Sequence, residues 1–399
     1  MGIFSKIVNS FTSSDTSSDT LTQESFTKEN SQIEPVEVSK PSLRSQFATT
    51  ILNKARSLTE LDRKEEALAT YDDLVQRFNE SGDLSLRKAI VTALVEKGTI
   101  LQADGRQEEA LSTYRDLIHQ FGNVESLTIR EQVHKARTQI ALILLQKGAT
   151  LVKTGHKEEA LAVYEEVIRT CDVIQNCSLC NCKGAENCFL CEQLTKALIE
   201  KGGVLQANNQ QKEALAVYED VINKFGNSQT PQLQEQVAKA QLHIAVALIK
   251  KANSLIESGY GKEALTVYED IINKFGASQT PQLQEQVAKA LIEKGAFFAK
   301  LFRYGKALSA YEEIVNKFGN TKNHVLQKYV VEAFFEEAEI YSLNNRKEEA
   351  AAIYEEIINR FGQQEDTFLQ EEVAKAQILK RRLLVGNFSV TKKRSLFVK

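Results

Sequence analysis

The chain has 399 residues, a formal net charge of −3 and 42% hydrophobic residues, with only four prolines and no tryptophan. This hydrophobic content suffices for a folded core, and no stretch has the uninterrupted apolar length of a membrane span. The opening MGIFSKIVNSF is too short in apolar residues for a secretory signal, and Lys6 breaks the simple myristoylation pattern. These features predict a soluble, cytoplasmic protein.

Residues 1–42 form a segment rich in serine and threonine, with few large apolar groups after the first eleven positions. Such a segment cannot bury enough surface to offset chain entropy, which predicts disorder. The first eleven residues fit either a frayed terminus or a short peptide that docks on a membrane surface or a partner. Their apolar helical face would comprise Ile3, Phe4, Ile7, Val8 and Phe11. Pro41 and Ser42 then predict the start of the first helix.

From residue 43 to residue 385 the chain repeats itself. Residues 212–240 and 262–290 differ at only three positions, and looser copies give the period of a repeat array. Each copy has a tyrosine, an alanine four residues before it, and a small residue twelve residues before the alanine. The tyrosines, spaced by 43, 50, 54, 50, 43 and 43 residues, are Tyr71, Tyr114, Tyr164, Tyr218, Tyr268, Tyr311 and Tyr354. The small residues are Ala55, Gly98, Gly148, Gly202, Ala252, Gly295 and Ala338.

Each copy is predicted to form two helices. In KEEALAVYEEVI (157–168) the apolar residues recur at the spacing of an amphipathic helix, and the preceding stretch has the same period. The small residues fall where two helix backbones approach closely, and Gly105, Gly155 and Gly259 suit the ends of first helices. The 50-residue spacings add seven residues, or about two α-helical turns. They predict longer first helices that contain residues 136–148 and 240–252.

This spacing resembles the tetratricopeptide repeat over roughly residues 45–385. The conserved small, glycine, alanine and aromatic positions of that family correspond, in the second copy, to Gly98, Gly105, Ala110 and Tyr114. The family repeat is usually shorter, and it closes with a proline that is absent here. The resemblance implies an all-α, right-handed superhelical solenoid of about seven antiparallel helix pairs. Residues 368–385 would form a C-terminal capping helix.

All six cysteines lie within residues 171–191, which replace the ordinary connection between the third and fourth copies. The two CxxC pairs Cys177/Cys180 and Cys188/Cys191 can supply four thiolates to one tetrahedral zinc, so we predict one structural zinc. Reduced thiols without metal, a disulfide-linked loop and an iron–sulfur cluster are the alternatives. Cys171 aligns with phenylalanines of other copies, which predicts a core position.

Residues 386–399 form a basic tail, and no acidic residue follows Glu372. Such a tail is either a solvated end or an electrostatic contact for nucleic acid or anionic lipid. The slightly acidic charge of the whole chain disfavours nucleic acid and membranes as partners.

The sequence lacks the motifs of common enzyme sites, namely GxSxG, phosphate-binding loops and HExxH. Acidic pairs such as Glu158-Glu159 and Glu348-Glu349 recur at one position of the repeat. This recurrence indicates a solvated helix start, where the helix dipole favours carboxylates. We therefore predict no enzymatic activity and no small-molecule substrate.

The resemblance also implies a concave groove, lined by the first helices, that binds peptides or helices of partner proteins. The register places these residues in it: Thr92, Val95, Thr99, Gln102, Lys196, Ile199, Gln206, Asn253, Lys289, Ile292, Ala296 and Ala299. The first hypothesis is a protein-interaction scaffold or adaptor. The alternatives are a sensor subunit whose cysteine loop binds zinc or responds to oxidation, and a nucleic-acid or membrane-surface binder that acts through its termini.

Overall fold

The computed structural model describes residues 42–172 and 189–385, which contain helices and no strand. The first helices of the seven pairs are α1 (Leu43–Glu60), α3 (Leu84–Ala103), α5 (Leu127–Lys153), α7 (Phe189–Ala207), α9 (Pro231–Glu257), α11 (Pro281–Lys300) and α13 (His324–Leu343). The second helices are α2 (Lys64–Phe78), α4 (Gln107–Phe121), α6 (Lys157–Asp172), α8 (Gln211–Phe225), α10 (Gly261–Phe275), α12 (Tyr304–Phe318) and α14 (Lys347–Phe361). The closing helix is α15 (Thr367–Leu384). The predicted all-α solenoid is confirmed.

The helix boundaries follow local sequence signals. The side chain of Ser42 caps α1 by accepting a hydrogen bond from the backbone N–H of Ser45. Pro231 and Pro281 open α9 and α11, where a missing N–H costs nothing. The predicted lengthening is confirmed, because α5 and α9 have 27 residues each whereas α3, α11 and α13 have 20. The predicted disorder of residues 1–41 and the basic tail 386–399 lie outside the described residues.

Each first helix is followed by one residue with a left-handed backbone conformation, and at this residue the chain turns into the second helix. Three of the seven positions are the predicted glycines Gly105, Gly155 and Gly259, with φ of 79° to 87°. Glycine enters this region without the steric penalty that a Cβ causes. The other four pairs use Asp62, Asn209, Phe302 and Asn345, with φ of 56° to 62°.

The two helices of a pair are held together by the repeated tyrosine. Its ring is buried in every copy, and in the four copies with glycine it lies directly on that residue of the first helix. A Cβ at Gly98, Gly148 or Gly202 would stand 2.5 Å from the ring of Tyr114, Tyr164 or Tyr218, and Gly295 is as tightly covered by Tyr311. The remaining copies have alanine at this position. The register predicted from sequence therefore corresponds to direct contact.

Ion pairs join consecutive helix pairs along one edge of the array. In four junctions a carboxylate that follows the tyrosine pairs with a lysine in the next first helix or in α15. These pairs are Asp72–Lys97, Glu165–Lys201, Glu269–Lys294 and Glu355–Lys380. Each is partly exposed, so each contributes about 1 kcal/mol or less. Their regular placement helps to fix the register between neighbouring pairs.

Two adjacent glycines in α7 provide a test of the tyrosine contact. We expect Gly203→Ala to raise the free energy of unfolding by about 1 kcal/mol, because alanine favours helix and an added Cβ meets nothing within 4 Å. Gly202→Ala should lower it by about 1–3 kcal/mol, since the ring of Tyr218 must move within a packed core. Chemical denaturation followed by circular dichroism measures both. Equal shifts for the two variants would contradict the contact.

Candidate binding groove

The first helices line one continuous face of the array. Each packs on the first helix of the next pair, from α1 on α3 through α11 on α13. Within the described part of the chain, consecutive second helices have no comparable packing on one another. The array therefore curves with the first helices on the inner side, and this inner face is a concave groove.

Most of the residues predicted for the groove are partly accessible on the first helices. Thr99 is exposed, and nine others are half-buried, as expected for side chains in a concave face: Thr92, Val95, Gln102, Lys196, Gln206, Asn253, Lys289, Ala296 and Ala299. Ile199 and Ile292 are more covered, with 8% of each residue exposed. Their direct role in binding stays a prediction.

Two of these residues touch the tyrosines that hold the pairs together. The Asn253 Oδ1 accepts a hydrogen bond of 2.7 Å from the Tyr268 hydroxyl. The Thr99 hydroxyl lies 3.4 Å from that of Tyr114. The tyrosine hydroxyls therefore reach the rim of the groove. A ligand that competes for Asn253 would act directly on the contact within its helix pair.

The same register identifies groove residues that the sequence analysis did not select. In α5 it gives the half-buried Leu142, Leu145 and Val152, and in α13 it gives Glu332, Phe335 and Glu339. The signal was present in the sequence, because these residues occupy the positions of Thr92, Val95 and their counterparts. The groove is thus mixed in the middle, where apolar side chains of α5 and α11 lie among polar ones such as Lys196 and Lys289, and it is acidic at α13.

The acidic end of the groove concentrates negative charge from two first helices. Glu332 is exposed, yet partial loss of hydration in the groove, together with Glu293 of α11 and Glu372 of α15, raises its pKa. Burial and the carboxylates Glu285, Glu332 and Glu293 raise the pKa of Tyr329 to about 12. Such mutual repulsion is relieved when a cation enters.

One cation of the chain already lies at this end. The Lys375 Nζ stands 4.2 Å from the centre of the Phe335 ring and 2.9 Å from Glu372 Oε2. Its charge opposes the rise in the pKa of Glu332 and Glu336. The contact shows that an ammonium group fits beside the aromatic ring and the carboxylates.

Two neighbouring glutamates of α13, Glu336 and Glu337, have raised pKa values. Burial and the charges of Glu339 and Glu332 raise the pKa of Glu336 to about 7, although Tyr311 donates a 3.4 Å hydrogen bond to its Oε2. Burial and the charge of Glu312 raise the pKa of Glu337 to about 8. Glu337 is 5% exposed, and its Oε1 is buried with no hydrogen-bond partner in the described residues.

Glu337 occupies the position at which the edge ion pairs have lysine. Lys97, Lys201 and Lys294 each face a carboxylate of the preceding second helix there. At the junction between the sixth and seventh pairs the same geometry sets Glu337 against Glu312. Two carboxylates replace an ion pair, so this junction is weakened when both ionise.

Of the predicted zinc ligands, only Cys191 lies within the described residues. It is in the first turn of α7 and, like Cys171, belongs to the buried core. Cys177, Cys180 and Cys188 lie outside the described residues, so the zinc site stays a prediction. Within residues 42–172 and 189–385, no group of three histidine, cysteine or acidic side chains is placed to hold a metal.

His243 is a half-buried histidine with a structural contact. His243 of α9 stacks on Tyr218, with ring centres 4.7 Å apart and planes 6° from parallel, and burial lowers its pKa. The absence of enzymatic activity stays a prediction. None of the helices in the described part of the chain is long and apolar enough to cross a membrane.

Comparison with known proteins identifies the repeat. Models described as "Tetratricopeptide repeat" match residues 50–81, 141–171 and 332–363, which fall in the first, third and seventh helix pairs. No curated protein sequence matches this chain. These three segments match the tetratricopeptide repeat, and the whole array is consistent with a repeat protein of this type whose copies are lengthened.

Several solved structures are similar to the chain at low identity. A tetratricopeptide repeat protein from Parabacteroides merdae is 14% identical, with 83% of this chain and 99% of that one covered and a TM-score of 0.27. The apo quorum sensor NprR from B. thuringiensis is 14% identical over 85% and 82%, with a TM-score of 0.33. The TPR2AB domain of yeast Sti1, in a pHSP90 complex, is 13% identical over 72% and 99%, with a TM-score of 0.27. At these scores the similarities carry no inference about partners.

The raised pKa values of Glu336 and Glu337 predict that the free energy of unfolding falls as the pH rises. The folded-state pKa values of about 7 and about 8 exceed the ordinary value of 4.5, so the folded state binds more protons between these limits. The contribution of Glu336 and Glu337 to the free energy of unfolding is fully present below pH 4.5 and is lost as the pH rises through 8. We expect the melting temperature of the parent chain to fall, relative to a Glu336→Gln/Glu337→Gln variant, between pH 5 and pH 8.5.

The solvent-exposed Glu348→Gln serves as the control, and it should follow the parent chain across this range. Parallel melting curves for the double variant and the parent chain would show that neither carboxyl is held neutral.

The zinc prediction is checked by the metal content of the purified chain. We expect one zinc per chain, which Cys177→Ser/Cys188→Ser should abolish because two of four thiolates are gone. Cys171→Ala, outside the predicted ligand set, should keep the metal. A parent chain with less than about a tenth of an equivalent of zinc, after purification without chelators, would refute the site.

Proposed function

We propose that this tetratricopeptide-type protein is a non-enzymatic scaffold that holds a peptide or helix of a partner protein in the groove lined by its first helices. The carrying observation is the groove itself, which presents accessible apolar and polar side chains along consecutive first helices. Its walls are helices already packed against both neighbours. Binding therefore orders little of the scaffold, which favours affinity.

The distribution of side chains along the groove supports a partner of definite polarity. Leu142 and Leu145 of α5, with Ala296 and Ala299 of α11, offer apolar surface in the middle. At α13 the groove ends in carboxylates beside Phe335. We propose a partner segment whose apolar face lies along the middle helices and whose lysine or arginine side chains reach the acidic end.

The contact of Lys375 supports this polarity. Its ammonium group already rests on Phe335 and pairs with Glu372. A partner lysine or arginine would make the same kinds of contact with Glu332 and Glu339, both of which are exposed. Binding would relieve the repulsion among the carboxylates, so the cation would add affinity as well as orientation.

The two alternative functions depend on residues outside the described ranges. A sensor role rests on the cysteine loop, and a nucleic-acid or membrane role rests on the termini. Both stay predictions from the sequence, and the groove proposal needs neither of them.

Site-specific photo-cross-linking in cells tests the groove proposal. A cross-linking residue at Ala296, in the groove, should capture a discrete protein partner, whereas one at the exposed Ser309 on α12 should not. Glu332→Lys/Glu339→Lys should lower capture at least tenfold, because each reversal replaces attraction by repulsion. Glu348→Lys, a reversal at the solvated start of α14, is the matched control.

Capture of the same proteins from both positions would refute groove binding. A partner captured only from Ala296, and equally well after the charge reversals, would agree with groove binding. That result would refute the proposal that basic side chains of the partner reach the acidic end.

A further inference from the structure

The turn of the sixth helix pair departs from the six equivalent turns. Its left-handed residue is Phe302, with φ of 56° and 79% of the residue exposed. The other turns use Asp62, Gly105, Gly155, Asn209, Gly259 and Asn345. Those residue types tolerate left-handed backbone, whereas a bulky aromatic residue there is a genuine outlier. The fold needs no aromatic at this position, so Phe302 requires another explanation.

Exposed aromatic and apolar groups surround Phe302. Its ring meets that of Tyr304 edge to face, with centres 6.2 Å apart, and Leu301 beside it is 49% exposed. The ring of Phe297 lies against Gly261 of the preceding pair, where Tyr260 is 57% exposed. Exposed apolar side chains thus occur at two consecutive turns, whereas isolated exposed apolar residues would need no explanation.

The sixth turn also has a positive charge where equivalent turns have a negative one. In the first, second and seventh pairs, the arginine before the second helix pairs with a glutamate three residues on: Arg63–Glu66, Arg106–Glu109 and Arg346–Glu349. The sixth pair has Arg303 and, in place of the glutamate, Lys306. The first turn of α12 has no acidic residue, while those of the other six second helices have one or two.

The positive end of the α12 dipole is therefore left without a carboxylate and adds to two cations. Gly305 stands in this first turn, and nothing lies within 4 Å of the place where its Cβ would be. An anionic group can consequently approach the first backbone N–H groups of α12 closely. Residues Phe302 to Lys306 form an open, nearly flat surface at this place.

We propose that this edge, Leu301 to Lys306, is a second docking surface that takes a short acidic peptide segment with an apolar side chain. The apolar side chain packs on Phe302 and Tyr304. The carboxylates face Arg303, Lys306 and the start of α12. The surface lies at the turn between the helices of a pair, so it is separate from the groove along the first helices.

The neighbouring turns favour a short peptide over an extended anionic surface. The corresponding first turns of α10 and α14 have Glu263 and the pair Glu348 and Glu349. A membrane or a nucleic acid that reached Arg303 would also lie against these turns, where the carboxylates balance Lys262, Arg346 and Lys347 and leave no net attraction. A peptide of a few residues contacts the sixth turn alone.

The test uses the full chain and a fluorescein-labelled twelve-residue peptide in which glutamate alternates with leucine and phenylalanine. Fluorescence anisotropy at low salt should show binding that Phe302→Asn and Lys306→Glu each weaken at least tenfold. Phe302→Asn installs the residue of the seventh turn, so it should also raise the melting temperature, which separates lost binding from lost folding. Asn345→Gly, at the seventh turn, should leave binding unchanged.

Several results would overturn the proposal. A parent chain that binds no acidic peptide, or that binds it unchanged after Phe302→Asn, overturns the proposal. So does binding of phosphatidylserine vesicles or single-stranded RNA in preference to the peptide. Tighter peptide binding in Glu332→Lys/Glu339→Lys would place the acidic peptide in the groove and overturn the separate surface, while unchanged binding there supports it whatever the outcome for the groove.

Discussion

The contact between a tyrosine ring and a glycine or alanine is the constraint on which the array depends. It fixes the distance between the two helices of each pair, because a Cβ at Gly98, Gly148 or Gly202 would overlap the ring. Removing such a buried aromatic side chain from a core typically costs about 3–5 kcal/mol. Seven copies of one contact give seven similar pairs, and similar pairs stack into a regular solenoid whose inner face is continuous.

The same contact explains how the repeat tolerates insertions. Seven extra residues lengthen α5 and α9 by about two turns, which returns the apolar stripe to the same face. The tyrosine still meets its small residue, since the extra turns lie before that point. Insertions that are not whole turns must go to connections instead, and residues 173–188 stand at the connection between α6 and α7.

Sequence reasoning reached the parts of the structure that repeat. The pairs, the left-handed glycines and the two long helices followed from fixed spacings, since a position that recurs seven times reveals its role. It missed Glu337 because burial and the approach of Glu312 arise between neighbouring pairs, and no local pattern encodes them. Sequence reasoning did not predict the left-handed conformation of Phe302, because it located these turns by their glycines and the sixth turn has none at this position. The acidic end at α13 needed only the register already applied to α3 and α11.

The departures from the repeat carry most of the information about function. A repeated residue serves the architecture, as the edge lysines do in pairing with carboxylates of the preceding helix pair. Glu337 and Phe302 each replace a favourable residue by one that weakens the fold, through like charge in one case and a left-handed aromatic in the other. Both lie in the sixth and seventh pairs, beside the acidic end of the groove. Unfavourable positions of this kind cluster at functional sites, and the equivalent positions are well satisfied elsewhere in the array. We therefore expect the proposed partner recognition to be concentrated in the C-terminal third of the array.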